Sequence, residues 1–316
     1  MARSARVGGH TVGVDGDIVG RPVNAVLVPP QAERFAAVAG VDLDRLVLNV
    51  TGFNKLVLLG FDRVFLFPRS AIGVEWFERE LVVYRALAKT RLDIVPRLVG
   101  YWEDAEIYPF PFAAVTRLHG QVPAEPEALL EQLGRAIACW HELEPPALAG
   151  ARPPRHLDAA HHRWLRRALD PATSADAAAE AADLLGRPGR AAAWADLLAS
   201  AAQLPPVLVH GDLHEDQLLA VGGRLTGIID WETARVDHPF WDFDLGEWGT
   251  GLWRRHRRDF SALWAREWRA YAQARRLDVD SRPLETAFRL RHALRLLADP
   301  GDPAVSGTIE EHLAHL

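Results

Sequence analysis

The sequence predicts an α/β (α+β) fold with two lobes: a small N-terminal lobe built on an antiparallel sheet, and a larger, mostly helical C-terminal lobe. Short apolar runs separated by turn residues lie between residues 46 and 68, whereas helical patterns dominate from residue 123 onward. The chain has 316 residues, of which 49% are hydrophobic, and this is enough for two lobes with a buried core. We place the lobes at residues 1–118 and 119–316. The sequence leaves open whether residues 1–40 form short strands or an arm over the first lobe.

The N-terminal lobe is predicted to contain a short helix followed by three strands. Residues 31–39 predict the helix, and residues 46–49, 55–61 and 63–68 alternate in the way that strands do. The turn at residues 51–54 (Thr-Gly-Phe-Asn) joins two of these strands, and a glycine-containing turn of this kind is one way to cover bound phosphates. A single glycine in a hairpin is also common in turns that bind nothing, so both interpretations stay open.

Three helical regions are predicted beyond these strands. Residues 75–89 predict a helix because their large apolar residues recur at helical spacing. Residues 123–143 predict a second helix, which the Pro-Pro pair at 145–146 ends. Residues 147–204 contain alanine-rich helices broken by proline and glycine, and we expect them to form a helical subdomain. Glu80 in the first of these helices is either an ion-pair partner or a solvated side chain.

Two apolar strands in the C-terminal half each lead into an acidic residue. Residues 206–209 run into His-Gly-Asp-Leu-His-Glu-Asp-Gln, which contains Asp212 and Gln217. After a Gly-Gly turn, residues 225–229 run into Asp230, 18 positions beyond Asp212. Turns rich in Asp and His that only cap helices are common, but the intact spacing on two strands favours a catalytic role.

This spacing matches the needs of phosphoryl transfer from ATP. One carboxylate orients the acceptor hydroxyl and takes its proton, and a second carboxylate with an amide oxygen holds Mg²⁺, which prefers oxygen ligands. The pattern is that of a kinase catalytic loop, His-x-Asp-x-x-x-x-Asn, followed by a metal-binding Asp. We therefore predict that Asp212 is the catalytic carboxylate and that Gln217 and Asp230 ligate Mg²⁺. His210 is expected to brace the loop rather than to take protons.

Residues 210–231 resemble the aminoglycoside phosphotransferase and choline kinase-like family, whose motif is His-Gly-Asp-x-His-x-x-Asn followed by Ile-Asp-Trp. Residues 237–242 resemble the family's subsequent Asp-Pro-x-x-Asp stretch. The resemblance extends upstream to the family's third strand (64–69), the helix after it (75–87) and the hinge (112–120). It covers roughly residues 45–250 and implies a protein-kinase-like fold.

The resemblance implies a nucleotide, ATP or GTP, as the phosphoryl donor and Mg²⁺ as a cofactor. It also implies that a set of residues in the N-terminal lobe binds the nucleotide: Asn54, Lys55, Arg69, Glu80, Thr116 and Leu118. Glu80 would position the cation that meets the phosphates. The expected partners are the nucleotide and a small-molecule substrate, and no motif predicts the oligomeric state.

The chain departs from the family's pattern at two positions. Gln217 stands where the family has Asn, which is one methylene shorter. Leu66 stands where a Lys or Arg is expected to hold the phosphates, and the only lysines in the chain are Lys55 and Lys89. Another cation near the third strand must therefore replace the missing one.

Three cations near this strand are candidates for the phosphate anchor. Arg63 and Arg69 lie an odd number of residues from Leu66, so in a regular strand they point to the opposite face. A bulge at Pro68 would turn Arg69 inward, and we favour Arg69 for this reason. Lys55, on the preceding strand, is the alternative.

Carboxylates and indoles are concentrated in the residues after Asp230. They are Trp231, Glu232, Asp237, Trp241, Asp242, Asp244, Glu247 and Trp248. Such a set would attract a cationic, ring-bearing substrate through charge and stacking. We therefore predict substrate contacts at Glu232, Asp242 and Glu247. The alternative is that Asp242 only brackets the catalytic loop and that the tryptophans fill the core.

Composition argues against several classes of protein. A net charge of −6 and a pI near 6.1 disfavour a nucleic-acid binder, and the basic run at residues 254–258 is expected to be a solvated helix face. The sequence shows no signal peptide and no uncharged apolar stretch of about 18 residues, so we expect no membrane span. Cys139, the single cysteine, suits a cytoplasmic protein and is expected to be packed in its helix.

We predict an ATP- and Mg²⁺-dependent O-phosphotransferase that acts on a small hydroxylated molecule. Aminoglycoside-like antibiotics, and hence antibiotic resistance, are the leading interpretation. Choline, a sugar or a macrolide are alternative acceptors, because substrate walls come from loops that carry no motif. A nucleotide-binding pseudoenzyme with a regulatory role is the second hypothesis, which Leu66 and Gln217 favour.

Overall fold

The computed structural model describes residues 5–7, 10–12, 27–49, 54–145, 159–243, 260–277, 280–301, 308–314 and 316. The chain divides into two compact units. The first unit comprises Met1–Arg85 and Val95–Leu118, and the second comprises Ala86–Ile94 and His119–Leu316.

The first unit is built around a five-stranded antiparallel sheet, which confirms the predicted fold class. In chain order its elements are β1 (Ala5–Val7), β2 (His10–Val12), α1 (Pro29–Ala39), β3 (Val47–Asn49), β4 (Lys55–Leu59), β5 (Arg63–Pro68), α2 (Ala71–Leu87), β6 (Leu98–Trp102) and β7 (Phe112–Thr116). Strands β1 and β2 form a separate hairpin, and the strand order of the main sheet is β3-β4-β5-β7-β6.

Helix α1 closes one face of the main sheet. At its centre, Phe35 packs edge-on against three phenylalanine rings, with centroids 5.0 to 5.8 Å apart. The three are Phe65, Phe67 and Phe112. Leu58 of β4 joins the same fully buried cluster. Because burying one such side chain contributes about 1.5–3 kcal/mol, this cluster holds α1 on the sheet.

The opposite face of the sheet carries Leu66, and the strand register places Lys55 on that same face. Val57 lies opposite Leu66, and Lys55 lies opposite Pro68. Side chains alternate along a strand, so these four residues project from one side of the sheet. Arg63 projects from the other side, as predicted, and its Nη1 donates to the carbonyl of the last residue of α1 at 3.2 Å.

The second unit is mostly helical, as predicted. Its elements in chain order are α3 (Leu130–His141), α4 (Ala160–Ala168), α5 (Ser174–Leu184), α6 (Ala191–Ala202), β8 (Val207–Val209), β9 (Leu218–Val221), β10 (Arg224–Ile228), β11 (Arg235–Asp237), α7 (Phe260–Arg275), α8 (Arg282–Ala298) and α9 (Ile309–Leu313). Helix α3 packs along α7, and α8 packs against α4, α6 and α9.

Two short two-stranded sheets in this unit hold the residues of the predicted motif. Strand β8 pairs with β11, and β9 pairs with β10, both antiparallel. Gly222 and Gly223 connect β9 to β10 with φ values of +56° and +76°. Glycine adopts positive φ at both central positions of a tight hairpin without strain, so this pair sets where β10 begins.

Two details of the helices differ from expectation. The second predicted helix begins as a 3₁₀ turn at Pro126–Leu129 before α3. Cys139 is exposed rather than packed, and its Sγ donates to the carbonyl of Arg135 at 3.4 Å. Cys139 comes two residues after the buried Ile137, and residues two apart do not share a helix face.

Of the helices described above, none combines the length and the apolar character that a bilayer crossing needs. Some sequence expectations fall on residues outside the described ranges. These are residues 51–53 of the predicted phosphate-covering turn, Glu247, and the basic run at 254–258.

Candidate active site

The catalytic loop begins directly after β8. The backbone N–H groups of His210 and Gly211 donate to Oδ1 of Asp242 at 2.8 and 3.3 Å. Gly211 has a φ of +82°, and a Cβ there would lie 2.7 Å from the carbonyl oxygen of Thr233, so only glycine fits. The chain therefore leaves a buried strand in a sharp turn and reaches Asp212, whose side chain is 39% exposed.

Asp242 braces this loop from below. It is 1% exposed. Besides the two backbone N–H groups, Trp140 donates Nε1–H to its Oδ2 at 2.8 Å, and Nε2 of His141 lies 3.0 Å from the same oxygen. These contacts meet the requirement that a buried charge be hydrogen-bonded. They match the bracketing role that the sequence left open and leave no surface on Asp242 for a substrate.

The backbone of Ile229 links the two halves of the motif. Its N–H donates to the carbonyl of Gln217 at 3.0 Å, and its carbonyl accepts from Nε2 of His210 at 2.9 Å. Asp230 is the next residue in the chain. The catalytic loop and both predicted Mg²⁺ ligands are therefore attached to the backbone of one residue, Ile229.

His210 holds the loop as a hydrogen-bond donor. Complete burial lowers the pKa of His210 below its usual value, and the neighbouring carboxylates, Asp242 first among them, oppose this only in part. Since Nε2 faces the carbonyl of Ile229, the proton of the neutral ring lies on Nε2. This arrangement supports the bracing role expected of His210.

Asp230 lies at the end of β10 with a φ of +66° and a ψ of +60°, in the left-handed region. Among the residues that the structure describes, Arg276 is the other non-glycine with positive φ. A non-glycine residue in such a conformation is strained by about 1–3 kcal/mol and is typical of functional sites. The turn directs the Asp230 carboxylate away from the regular strand pattern.

The imidazole of His214 contacts both Asp212 and Gln217. Its Nδ1 accepts from the backbone N–H of Asp216 at 3.3 Å and so caps the 3₁₀ turn Glu215–Gln217. Its Nε2 lies 3.2 Å from the terminal amide of Gln217 and 3.9 Å from Oδ2 of Asp212. One ring thus joins the predicted catalytic carboxylate to a predicted metal ligand.

In the first unit, Glu80 of α2 pairs with Lys55 of β4. The Lys55 Nζ lies 2.6 Å from Glu80 Oε2, and the Tyr84 hydroxyl donates to Glu80 Oε1 at 2.6 Å. All three residues are buried. The ion-pair partner expected for Glu80 is therefore present, and the cation comes from the strand next to the one that carries Leu66.

The other residues predicted to bind the nucleotide lie at the two ends of the sheet strands. The carbonyl of Asn54 accepts from the backbone N–H of Arg69 at 2.8 Å, and Arg69 Nε lies 3.4 Å from the carbonyl of Lys55. At the end of β7, Thr116 Oγ1 accepts from the backbone N–H of Arg97 at 3.0 Å.

The first two residues after β7 differ in their backbone hydrogen bonds. Arg117 donates its N–H to the carbonyl of Asp62 at 2.9 Å. Leu118 makes no hydrogen bond to any residue in the described part of the chain. Its peptide groups are open at the position that the sequence predicts for the hinge.

The family model described as the APH phosphotransferase enzyme family matches residues 62–285, well over half of the chain and including the whole motif. The chain belongs to the APH phosphotransferase enzyme family. It is therefore a phosphotransferase.

Solved structures of APH-type phosphotransferases share the protein-kinase-like fold of this chain. An ADP-bound aminoglycoside phosphotransferase APH(2'')-Ib aligns at 15% identity and a TM-score of 0.54, covering 90% of this chain and 99% of that one. The macrolide 2'-phosphotransferase MphH from Brachybacterium faecium aligns at 21% and 0.53, covering 86% and 93%. A GDP complex of aminoglycoside 2'-phosphotransferase-IIIa aligns at 18% and 0.53, covering 90% and 95%. No curated protein matches the chain. At these identities the likeness establishes the fold.

The donor atoms of this family member suit Mg²⁺. Asp230 offers a carboxylate and Gln217 an amide oxygen, both hard oxygen ligands. Within the described ranges, no three His, Cys, Asp or Glu side chains converge as a complete metal site. Mg²⁺ does not need one, because it keeps several waters and binds one or two carboxylates together with substrate phosphates.

The predicted substrate surface of aromatic and acidic side chains is largely absent from the described structure. Trp231 and Trp241 are 0% and 5% exposed, and Trp231 packs edge-on against Trp140 at 5.2 Å. Both tryptophans fill the core, because the chain after Asp230 runs beneath the catalytic loop. The prediction that they form a stacking surface for the substrate is therefore wrong. Glu232 is partly exposed and stays a predicted substrate contact.

Two residues of the site carry no motif that predicts them. Tyr84 lies one helical turn after Glu80, so the spacing of i to i+4 is a signal that points to their contact. Arg235 is buried and bridges Asp237, at 2.7 Å from its Nε, to the carbonyl of Gly211, at 3.4 Å from its Nη1. No sequence pattern identifies this second brace of the catalytic loop.

Proposed function

We propose that this chain transfers the γ-phosphoryl group of ATP or GTP to a hydroxyl group of a small antibiotic-like molecule in a Mg²⁺-dependent reaction. The observation that carries the proposal is the pair of hydrogen bonds that the backbone of Ile229 makes to Gln217 and His210. They attach the loop of Asp212, the amide residue Gln217 and Asp230 to the backbone of one residue. Phosphoryl transfer depends almost entirely on such positioning and on electrostatics.

Asp212 orients the acceptor hydroxyl and accepts its proton as the oxygen attacks phosphorus. Its side chain is 39% exposed, whereas the bracing Asp242 beneath it is buried. The exposed carboxylate of Asp212 is accessible to a substrate, whereas the buried carboxylate of Asp242 supports the loop that carries Asp212. His210 is a hydrogen-bond donor to Ile229, so Asp212 is the base that the geometry favours.

Lys55 binds the phosphates of the nucleotide and Glu80 holds Lys55 in place. The 2.6 Å ion pair is buried on the sheet face that also carries Leu66, where the family resemblance calls for a cation. Arg69, which we favoured from the sequence, contacts the backbone of Lys55 and is the secondary candidate. The open peptide groups of Leu118 are suited to the hydrogen-bonding edge of the nucleobase.

Gln217 and Asp230 would hold the metal through their side-chain oxygens. When bound there, Mg²⁺ neutralises charge on the nucleotide phosphates. Asp230 is directed by its left-handed backbone, and Gln217 is fixed through its carbonyl to Ile229.

The acceptor belongs to the aminoglycoside or macrolide class of hydroxylated antibiotics. Similar folds include an aminoglycoside phosphotransferase and a macrolide 2'-phosphotransferase, which motivates both classes. The sequence preference for a cationic acceptor rested on five carboxylates and three tryptophans after Asp230. Of these, Asp242, Trp231 and Trp241 are buried, and Asp244, Glu247 and Trp248 lie outside the described residues. The described residues therefore give the aminoglycosides no advantage over the macrolides.

A two-step experiment tests this function. Thermal unfolding with and without Mg²⁺-ATP or Mg²⁺-GTP first identifies the donor. Release of ADP or GDP is then measured across aminoglycosides, macrolides, choline and simple sugars. Release that depends on one antibiotic class supports the proposal. Nucleotide binding without turnover on any acceptor would instead favour the regulatory pseudoenzyme.

A further inference from the structure

Gln217 presents a positioning problem that a shorter residue would not have. The family resemblance calls for Asn at this place, and Gln adds one methylene and one rotatable bond. Ordering a longer side chain of this kind costs more conformational entropy. The backbone of Gln217 is fixed through Ile229, so the remaining freedom lies in its side chain.

His214 is placed to remove that freedom. Its imidazole is 25% exposed, and its Nε2 lies 3.2 Å from the amide nitrogen Nε2 of Gln217. Its Nδ1 is engaged with the backbone N–H of Asp216 at 3.3 Å. The ring is therefore held on one side by the main chain and faces Gln217 on the other.

The donors and acceptors around this ring fix where its proton lies. Nδ1 accepts from an N–H group, so it carries a lone pair, and the proton of the neutral ring lies on Nε2. Nε2–H then needs an acceptor. Oδ2 of Asp212, 3.9 Å away, is an acceptor but is too distant for a hydrogen bond.

With this tautomer, exchanging the amide nitrogen at 3.2 Å for the oxygen gives the orientation in which the carboxamide of Gln217 accepts from His214. Two N–H donors cannot bond to each other, and the oxygen and nitrogen of an amide are distinguished only by their hydrogen-bond partners. With Oε1 toward Nε2–H, every group around the ring is satisfied. Oε1 has a second lone pair, which is free to bind a cation.

We propose that His214 is a positioning residue whose Nε2–H holds the Gln217 carboxamide oxygen in place for Mg²⁺. The family motif also has a histidine at this position, together with the shorter asparagine, so in this chain the same histidine position holds a longer amide. This inference rests on the proposed function, because it concerns the metal of that same site. Residues that orient metal ligands in this way typically contribute 10- to 100-fold in metal affinity, so an effect on the order of tenfold is expected.

The His214 ring also caps the turn Glu215–Gln217. One variant distinguishes this capping role from the contact with the Gln217 side chain. His214→Asn keeps an acceptor at the N-cap, where Asn is among the preferred residues, but has no atom at the place of Nε2. Gln217→Asn shortens the side chain by one methylene and so withdraws the amide from Nε2 of His214. The two changes therefore form a double-mutant cycle in which only the positioning contact is shared.

The experiment measures the apparent Mg²⁺ affinity during nucleotide binding by calorimetry in wild type, both single variants and the double variant. We expect His214→Asn to weaken Mg²⁺ binding on the order of tenfold in wild type and to have little effect beside Gln217→Asn. Equal losses in both backgrounds, or no loss in either, would overturn the proposal. Thermal unfolding of the metal-free proteins verifies that the capped turn stays intact.

A second readout needs neither metal nor activity. Long-range ¹H–¹⁵N NMR of metal-free wild type should show His214 protonated on Nε2 and bare on Nδ1, and a proton on Nδ1 contradicts the contact. If wild type binds no nucleotide in the presence of Mg²⁺, the proposed function fails. The NMR result still decides whether His214 and Gln217 are paired.

Discussion

Lys55 Nζ lies 2.6 Å from Glu80 Oε2 in a buried ion pair. Lys55 is on β4, whereas the family resemblance calls for the cation on β5, at Leu66. The register explains how the pair forms nevertheless, because Val57 lies opposite Leu66 and Lys55 is on the same side of the sheet. The ion pair therefore lies one strand away from Leu66 and on the same face of the sheet.

Lys55→Met is expected to lower kcat/KM for the nucleotide on the order of 10²-fold, because it removes a preorganised charge from the phosphates. Steady-state kinetics with varied nucleotide checks this. Arg63→Ala is the matched control, since Arg63 faces α1 and pairs with the exposed Asp62. If Lys55→Met keeps the wild-type kcat/KM while Arg69→Ala lowers it, Arg69 rather than Lys55 binds the phosphates.

Exchanging the side chains of positions 55 and 66 tests whether a cation on either strand reaches Glu80 from this face of the sheet. The double variant Lys55→Leu/Leu66→Lys places the cation on β5 and on the same face. We expect it to recover part of the activity that Lys55→Leu alone loses. No recovery, with unchanged thermal stability, would mean that Glu80 cannot be reached from position 66.

Asp230→Ala should abolish Mg²⁺-dependent nucleotide binding, because it deletes the charged member of the predicted ligand pair. Calorimetric titration of Mg²⁺-nucleotide measures the loss. Asp216→Ala is the control: it removes a 63% exposed carboxylate from the neighbouring turn and should bind normally. Equal affinity in Asp230→Ala and wild type would place the metal elsewhere.

Asp242→Asn should lower kcat while leaving the KM for the acceptor nearly unchanged. Asn cannot accept from the backbone N–H groups, Trp140 and His141 at once, and each charged hydrogen bond lost from a buried site removes about 1.5–3 kcal/mol. Denaturant unfolding and steady-state kinetics measure the two effects. A rise in KM alone would instead make Asp242 a substrate contact.

Stability should fall as the pH drops below about 6.5. Burial lowers the pKa of His141, His210 and His238 below the ordinary 6.5, so the unfolded chain takes up protons that the folded chain does not. The contribution of these neutral rings is complete above pH 6.5 and is lost below it. Urea unfolding followed by tryptophan fluorescence between pH 5 and 8 checks the slope. An increase in stability toward low pH contradicts it.

Glu267 acts in the opposite direction and provides an internal control. Burial raises its pKa well above the usual range, so the folded chain takes up this proton first and gains stability as the pH falls. Glu267→Gln should therefore make the loss of stability toward low pH steeper than in wild type.

The fold and the chemical motif were readable from the sequence because their signals are local. Alternating apolar runs predicted β4 and β5, and the spacing from Asp212 to Asp230 located the site. The placement of Arg63 on the far face also followed from strand periodicity alone. Each of these depends on residues that are close in sequence.

Contacts between distant segments were not readable in the same way. The register of β4 against β5, which brings Lys55 to the face of Leu66, depends on the turn that joins them. Asp242 reaches Trp140, 102 residues away, and the sequence could not decide between bracing and substrate binding. The tryptophans after Asp230 were ambiguous for the same reason, because burial depends on the whole second unit.

The most direct test of the central claim is transfer of the labelled γ-phosphate to an antibiotic hydroxyl, compared between wild type and Asp212→Asn. Wild type should yield an acceptor that carries one added phosphoryl group. Asp212→Asn should bind nucleotide normally but transfer on the order of 10²–10⁴-fold more slowly, because a positioned base contributes that much. Equal transfer by both proteins, or no labelled acceptor from wild type across both antibiotic classes, would contradict the assignment.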